Sequence, residues 1–393
     1  MTRPQIIVAA IAGLLLGATP AIAQKAPCGG DFGAWIDGVR AEARQAGVGA
    51  RGLSELAGAS LDQNVIRRDR AQGVFNQTFV TFSSRMVNGY RLKIGAANLK
   101  KYADTFRRAE SQFGVPGPAI AAFWGLETDY GAVQGDFDTL DALTTLAHDC
   151  RRPELFRPQL IALLKLFDQG VVDSSTRGAW AGEIGQTQIL PLDYLRDGID
   201  GDGDGRVDLK KSAADVIMTT AHFLSDLGWR PGEPWLQEVR LTQDLPWHQA
   251  ARMNRLPIAQ WRQWGVEGAS SPLPEGPDAS LVLPMGRDGP AFLAYPNYDV
   301  FLKWNNSFVY SLTASYFATR LGGAPRYDEG HPAPGLDTAQ MKALQTKLAS
   351  KGYDVGDVDG ILGTLTREAV RKEQLRLGMP ADAWPTQELL ARL

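Results

Sequence analysis

The chain has 393 residues, 44% of them hydrophobic, a formal net charge of −3, and only 2 cysteines and 4 histidines. That length buries one large core and leaves room for a second, smaller one. The near-neutral balance, with no basic cluster or base-stacking motif, gives no electrostatic footprint for nucleic acid; no HExxH pair supports a zinc hydrolase, and neither a GxSxG elbow nor a GxxxxGK(S/T) phosphate loop occurs.

Residues 1–23 open with Met1 and Arg3, run apolar from Ile6 to Leu16 and close on Ala21-Ile22-Ala23, which reads as a secretory signal peptide cut after Ala23. Cys28 lies beyond that cut, so no lipid anchor is expected. No later stretch reaches the roughly 18 apolar residues of a spanning helix, so a periplasmic protein without a transmembrane anchor is expected. In that oxidising compartment Cys28 and Cys150 are expected to form a single disulfide, with two buried free thiols as the alternative.

From Phe32 to about Arg326 the pattern is helical, as in Trp35, Ile36 and Val39 and again in Leu160, Leu163, Leu164 and Phe167, spaced by three to four. Pro116 and Pro118 open a helical run that Gly131 closes, and Glu127 falls in its last turn. The negative end of the helix dipole and the neighbours Phe123, Trp124 and Tyr130 disfavour an ionised carboxylate there, so a raised pKa suited to a general acid is expected. A solvated glutamate at a helix end is the plain alternative. Further on, Asp200-Gly201-Asp202-Gly203-Asp204-Gly205-Arg206-Val207-Asp208 follows the calcium-loop pattern, with carboxylates at positions one, three, five and nine and the turn glycine at six. Position twelve is Lys211, where a bidentate Glu would complete the shell. Between Ser271 and Tyr295, Ala279–Leu283 and Ala291–Ala294 suit a short hairpin. The fold class is mainly α (α+β), a helical domain with a small sheet over residues 24–326. A polar, Pro/Gly-containing linker (327–335) and a compact module (336–393) follow.

The module's Gln345, Gly352-Tyr353, Gly356, Asp359-Gly360, Gly363, Thr366 and Ala369-Val370 closely resemble the three-helix peptidoglycan-binding module. It departs from that pattern in carrying Glu373 before Gln374, where the family has an aromatic residue. In the large domain four segments line up in order: Gly125-Leu126-Glu127-Thr128-Asp129-Tyr130-Gly131, Trp180 to Pro191, the acidic loop, and Lys303-Trp304-Asn305-Asn306-Ser307. Together, over roughly Phe32 to Leu321, they resemble the lytic murein transglycosylases of the membrane-bound B type, whose catalytic centre is lysozyme-like.

The resemblance implies Glu127 as the single catalytic acid and base, with Tyr130 beside it as a substrate contact. Gln188 would be a polar contact to the sugar or to Glu127, and Trp304 with Asn305 the far wall of the cleft. Neutral amides such as Gln188 and Asn305 bond sugar hydroxyls and acetamido groups without competing for the proton; capping of local backbone is their alternative use. Ala179 and Trp304 stand where the family has Ser and Tyr, which removes two hydroxyls and leaves the Trp a stacking face. Peptidoglycan glycan strands are the implied partner, cut at the bond between N-acetylmuramic acid and N-acetylglucosamine to leave a 1,6-anhydro end. A two-carboxylate muramidase drawing on Asp136, Asp138 or Glu183, or a non-catalytic wall-binding scaffold, are the alternatives. No cofactor is required for the chemistry. A weak structural calcium site is implied, with Asp200, Asp202, Asp204 and Asp208 as side-chain ligands and Arg206 through its carbonyl; an apo turn is the alternative.

Overall fold

The computed structural model describes residues 26–71 and 77–393, so the expected signal peptide, residues 1–23, lies outside the described residues. The first half is a succession of helices: α1 (Phe32–Gln45), α2 (Ala50–Leu56), α3 (Gln63–Arg70), α4 (Phe79–Met86), α5 (Gly89–Lys101), α6 (Ala103–Phe113) and α7 (Gly117–Thr128). Their starts follow from local chemistry, since Asp31, Asp62, Thr78 and Asn88 each accept a hydrogen bond from an otherwise unpaired amide of the first turn.

Helix α7 has no polar face. Every residue from Gly117 to Thr128 except Pro118 and Glu127 is buried, and a helix apolar all round belongs in the middle of a core. It is surrounded by α5, α6, α11 (Ala213–Asp226) and α14 (Phe308–Leu321). Around that centre stand β1 (Phe137–Asp138), α8 (Thr139–His148), α9 (Pro153–Asp168), β2 (Arg177–Gly178) and α10 (Pro191–Asp197). The antiparallel pair β1–β2 ties the segment after α7 to the start of the Trp180–Pro191 turn. The Cys28–Cys150 disulfide closes a sequence separation of 122 residues and joins the beginning of the described chain to the loop between α8 and α9. In the chain-entropy picture a loop of that size is worth on the order of 5 kcal/mol.

The expected hairpin is present as β5 (Ser280–Val282) against β6 (Phe292–Ala294), but it is half of a larger sheet. Strand β3 (Leu236–Leu241) pairs with β6 on one side and with β4 (Val266–Gly268) on the other, giving the antiparallel order β4-β3-β6-β5. With α12 (Ile258–Gln263) this sheet encloses its own apolar cluster around Trp261, Leu281, Leu293 and Tyr295. Helix α13 (Tyr298–Trp304) then leads back to α14.

The segment 327–335 is anchored at two points and is otherwise largely exposed. Tyr327 is buried against Phe79, Phe292 and Tyr316, and the His331 amide donates to the Asp288 carbonyl at 2.7 Å. The final module has α15 (Thr338–Ser350), α16 (Thr364–Arg376) and α17 (Gln387–Arg392) around Met341, Leu344, Leu348, Val370 and Leu389. It docks through Arg367, which donates to the Pro284 carbonyl at 2.7 Å and lies 4.5 Å over the Phe308 ring.

Glu373, the departure from the module pattern, is fully buried. Its carboxylate accepts from Arg376 at 2.7 Å and from Lys351 and the Tyr353 hydroxyl at 2.9 Å. The Arg376 hydrogen bonds first, then those of Lys351 and Tyr353, hold the Glu373 carboxyl down at about 2. Because folding depresses this pKa, the stabilisation is present above the ordinary glutamate value of about 4.3 and is lost as pH falls toward about 2. Hydrogen bonds to a charged group contribute about 1.5–3 kcal/mol each. Glu373→Gln should therefore lower hydrogen-exchange protection factors in α15 and α16 about tenfold or more at pH 6 and flatten the native decline between pH 5 and 2. Native-like protection in that variant at pH 6 would remove this ion cluster as a support of the module.

Candidate active site

The sharpest chemical feature is the end of α7. Thr128 is its last residue, and Asp129 and Tyr130 then adopt left-handed backbone, with φ of 51° and 61°. Non-glycine residues bear a steric cost in that region, and surrounding contacts have to hold them there. Arg91 pairs with Asp129 at 2.5 Å, and its carbonyl receives the Tyr130 hydroxyl at 3.0 Å. The chain doubles back so tightly that the Tyr130 ring lies under the helix: a Cβ on Gly125 would come within 2.7 Å of it. Gly131, at φ +88°, completes the turn against Gln186, whose amide oxygen lies where a Cβ would be, at 2.3 Å.

This turn fixes Glu127, the one carboxylate of α7. The Trp304 indole N–H donates to Glu127 Oε1 at 2.9 Å, and the Tyr310 hydroxyl donates to the same oxygen. Trp304 is itself held by stacking on Phe123, centroids 4.2 Å apart, and by a tilted contact with Phe223 at 5.2 Å. Tyr310 is buried on the first turn of α14, which Ser307 caps. Both donors converge on Oε1, while Oε2 is neither buried without a partner nor bonded to a described protein group. The carboxyl is therefore gripped on one side and available on the other.

Burial raises the Glu127 pKa, and the hydrogen bonds from Tyr310 and then Trp304 pull it back in part. Burial, with the neighbouring Glu127 charge, lifts Tyr310 well above its ordinary value, so it stays a neutral donor. These are the properties of a group that keeps its proton to higher pH than a solvated glutamate does and still forms a tolerable carboxylate once the proton has gone.

Behind Glu127 a second layer fixes the turn from Trp180 to Pro191. The Thr128 hydroxyl donates to the Gln186 carbonyl at 2.5 Å and accepts from the Gly131 amide at 2.8 Å. The Gln186 side chain accepts from the Trp124 indole at 2.9 Å and donates to the Lys210 carbonyl at 3.1 Å. Motif one, motif two and the end of the acidic loop are thus one hydrogen-bonded unit.

Several expected roles are redirected. Tyr130 packs edge-on against Trp124 at 5.6 Å and bonds Arg91, so it positions the turn instead of facing a sugar. Gln188 donates its amide hydrogens to the Gly185 carbonyl at 2.8 Å and the Gln134 carbonyl at 3.2 Å, which makes it a loop cap. Trp304 stacks inward on phenylalanine, and its N–H supplies a hydrogen bond to Glu127. Asn305 closes α13, accepts from the Ser307 amide at 2.9 Å and lines an open cleft with Asn306, Ser307, Trp180 and Glu183. Asp136 is exposed, and Asp138 caps α8 and pairs with Arg177 at 3.0 Å. Glu183 sits close enough to Glu127 to feel its charge; burial first, then that charge, lifts it to about 7.

In the acidic loop, oxygens of Asp200, Asp202 and Asp204 lie within 4.8 Å of one another. Asp208 is turned away from them: its Oδ1 accepts the Lys210 and Lys211 amides, both at 3.0 Å. Buried Asp215 anchors the loop by accepting from Gly201 at 2.8 Å and Asp208 at 2.6 Å.

Residue-level expectations missed Tyr310 and the bridging role of Gln186. Tyr310 is 183 residues from Glu127 in sequence, so no local pattern relates them. Gln186 lies within the Trp180–Pro191 segment, but in sequence its side-chain amide is indistinguishable from that of Gln188.

Comparison with known proteins agrees with this geometry. Residues 31–319 match the family described as Transglycosylase SLT domain, and residues 337–393 match the Putative peptidoglycan binding domain. Over 240 residues, 60% of this chain, the sequence is 27% identical to membrane-bound lytic murein transglycosylase B of Escherichia coli (strain K12), and the match spans 65% of that protein's length. The structure of SltB3 from Pseudomonas aeruginosa in complex with NAG-anhNAM-pentapeptide superposes with a TM-score of 0.85 at 37% identity, over 93% of this chain and 99% of that one. The Escherichia coli lytic transglycosylase Slt35 in complex with calcium shares the fold at a TM-score of 0.62 and 24% identity, over 77% of this chain and 97% of that one.

The two donors on Oε1 make a direct prediction about titration. Trp304→Phe keeps the stacking and removes one donor, so Glu127 should hold its proton to higher pH than in the native chain. Tyr310→Phe should move it further, because its hydrogen bond is the larger of the two opposing contributions. Carboxyl carbon NMR of labelled Glu127 reads both shifts, and a downward shift in either variant would show that these contacts do not stabilise the carboxylate.

Proposed function

Because the chain belongs to the transglycosylase SLT family, and carries the peptidoglycan-binding module at its end, we propose that it cleaves peptidoglycan glycan strands between N-acetylmuramic acid and N-acetylglucosamine without consuming water. The observation that carries this reading is Glu127, raised in pKa by burial, with one oxygen gripped by Trp304 and Tyr310 and the other left free.

In this mechanism Glu127 protonates the leaving glycosidic oxygen while the substrate's own 2-acetamido oxygen attacks the anomeric carbon. Glu127, now a carboxylate steadied by its two donors, takes the proton from the C6 hydroxyl, which closes onto the same carbon. A 1,6-anhydro end results. Attack by tethered groups has an advantage of up to about 7–11 kcal/mol when they are well oriented. The nearness of Glu183 favours a second reading, a two-carboxylate hydrolysis that would leave reducing ends.

The SltB3 complex holds an anhydro-muropeptide in a protein of the same overall shape, which supports glycan strands as the partner. We assign the protein to the periplasm from the leader-like residues 1–23 and the Cys28–Cys150 disulfide. Among the described residues no helix is long and apolar enough to cross a membrane. The C-terminal module, docked through Arg367, would hold the cleft near its polymer and raise the local concentration of glycan.

The acidic loop fits a weak structural calcium ion held by Asp200, Asp202 and Asp204, with Arg206 offering its carbonyl. Asp208 would have to leave its present cap to join. The ion would supply no chemistry; it would steady the loop whose end, Lys210, receives the Gln186 amide. A site of Kd about 10⁻⁴–10⁻³ M should raise the melting temperature by a few degrees at about 10 mM calcium. Asp200→Asn with Asp204→Asn should abolish that shift, and its absence in the native chain would remove the site.

Mass spectrometry of digested murein sacculi tests the activity: native protein should release anhydro-ended muropeptides and Glu127→Gln none, whereas reducing ends would establish hydrolysis. Stability supplies the matching check. Folding raises the Glu127 pKa, so its contribution is full below the ordinary value of about 4.3 and is lost as pH rises through the folded pKa. Glu127→Gln should therefore melt higher than native at pH 8 and no higher at pH 4.

A further inference from the structure

Glu183 is a second carboxyl, near enough to Glu127 to feel its charge, that the single-acid mechanism leaves unused. It lines the stretch formed by Arg151, Arg152, Trp180, Asn305, Asn306 and Ser307, and among the described residues lining that stretch it is the one acidic side chain. Its Oε2 is buried with no hydrogen-bond partner. A buried carboxyl oxygen without a donor is rare and costly, so it calls for a donor that arrives from outside the protein.

The proposed reaction brings such a donor. As the acetamido oxygen bonds to the anomeric carbon, positive charge develops on the acetamido nitrogen and its N–H becomes a strong donor. The nearby amide oxygens of Gln188, Asn305 and Asn306 are neutral acceptors, and Asn305 Oδ1 already takes the Ser307 amide, whereas an ionised carboxylate gives a cationic N–H the stronger, charge-assisted hydrogen bond. Resting on the reading of Glu127 as the acid, we propose that Glu183 accepts the 2-acetamido N–H of the N-acetylmuramoyl ring and stabilises the cyclic oxazolinium.

The balance of the step is complete. The C1–O4 bond breaks and O4 takes the Glu127 proton while the acetamido oxygen bonds C1; the oxazolinium N–H remains on nitrogen, hydrogen-bonded to ionised Glu183. The C6 oxygen then bonds C1, its proton returns to Glu127, and the C1–acetamido bond breaks to regenerate the amide. The working state has one proton on the carboxyl pair, carried by Glu127.

The groups facing this pair are Arg152 beside Glu183, itself paired with Asp69 as is Arg151, and Trp304 and Tyr310 beside Glu127. Burial, with the charge of ionised Glu127 adding to it, lifts Glu183 to about 7; in the working state Glu127 is neutral and burial alone raises Glu183, so protonation of Glu183 should still shut down the native enzyme on the acid side, below that value.

The test is kcat/KM against pH on purified glycan strands, with products identified. The native profile should be bell-shaped, with an acid limb below about pH 7 because Glu127 is neutral in the working state. Glu183→Gln should lose that limb, keep the anhydro product and fall about ten- to a hundredfold at the optimum. Glu183→Ala should fall further and recover several-fold with added formate or acetate, a rescue that a purely structural role would not give. Native rate and an intact acid limb in Glu183→Gln, or an Ala variant that small carboxylates leave unchanged, would overturn the proposal. So would reducing ends from native protein that the Glu183 variants lose, since Glu183 would then be activating water. Failure of the underlying reading looks different: Glu127→Gln would still release anhydro ends.

Discussion

A helix with no polar face has to be buried, and when its last turn carries a carboxylate that group must be satisfied from elsewhere in the fold. This constraint organises the protein. Helix α7 is surrounded by α5, α6, α11 and α14, and Glu127 at its end draws its two donors from α13 and α14, far along the chain. Taking a carboxyl out of water favours its protonated form, and giving it two donors on one oxygen limits how far that preference runs. The same packing that forces α7 inward therefore tunes the protonation of the carboxyl at its end.

Around this centre the local geometry is arranged to remove freedom. The left-handed residues Asp129 and Tyr130, anchored by Arg91, reverse the chain immediately after Glu127, and Thr128 passes the constraint to Gln186. Gln186 in turn links Trp124 to the end of the acidic loop through Lys210. Two hydrogen bonds thus connect that loop to the last turns of α7. Trp304 packs its ring against Phe123 and Phe223, and its N–H donates to Glu127.

The C-terminal module follows a similar logic. Glu373 stands where the pattern has an aromatic residue, yet it is fully buried because Arg376, Lys351 and Tyr353 bring their polar ends to it. Breaking such a cluster by removing one partner is destabilising even where an apolar replacement of both sides would be tolerated. Arg367 secures the module to the large domain through carbonyl oxygens and the Phe308 ring, and burial lowers its pKa to about 10. The segment 327–335, polar and Pro/Gly-containing in sequence, is held down by Tyr327 and His331. Composition reports the absence of a core-forming pattern there; it does not report that neighbouring elements supply the missing contacts.

What the sequence determined by itself is whatever depends on near neighbours: the apolar helix with Glu127 in its last turn, the prolines that open it, the β5–β6 hairpin, the calcium-like spacing of Asp200, Asp202 and Asp204, and the module's turn glycines. Periodicity, capping and turn chemistry act over a few residues, so they are legible in order along the chain. Only the tertiary structure decided that Tyr310, 183 residues away, grips Glu127, and that Gln188 caps a loop while Gln186 bridges motifs. It likewise decided that Glu183 stands near the acid with an unpartnered oxygen. A side chain's partner and its degree of burial are set by which distant segments the core brings together, and one amide or carboxyl in a sequence carries no mark of that choice.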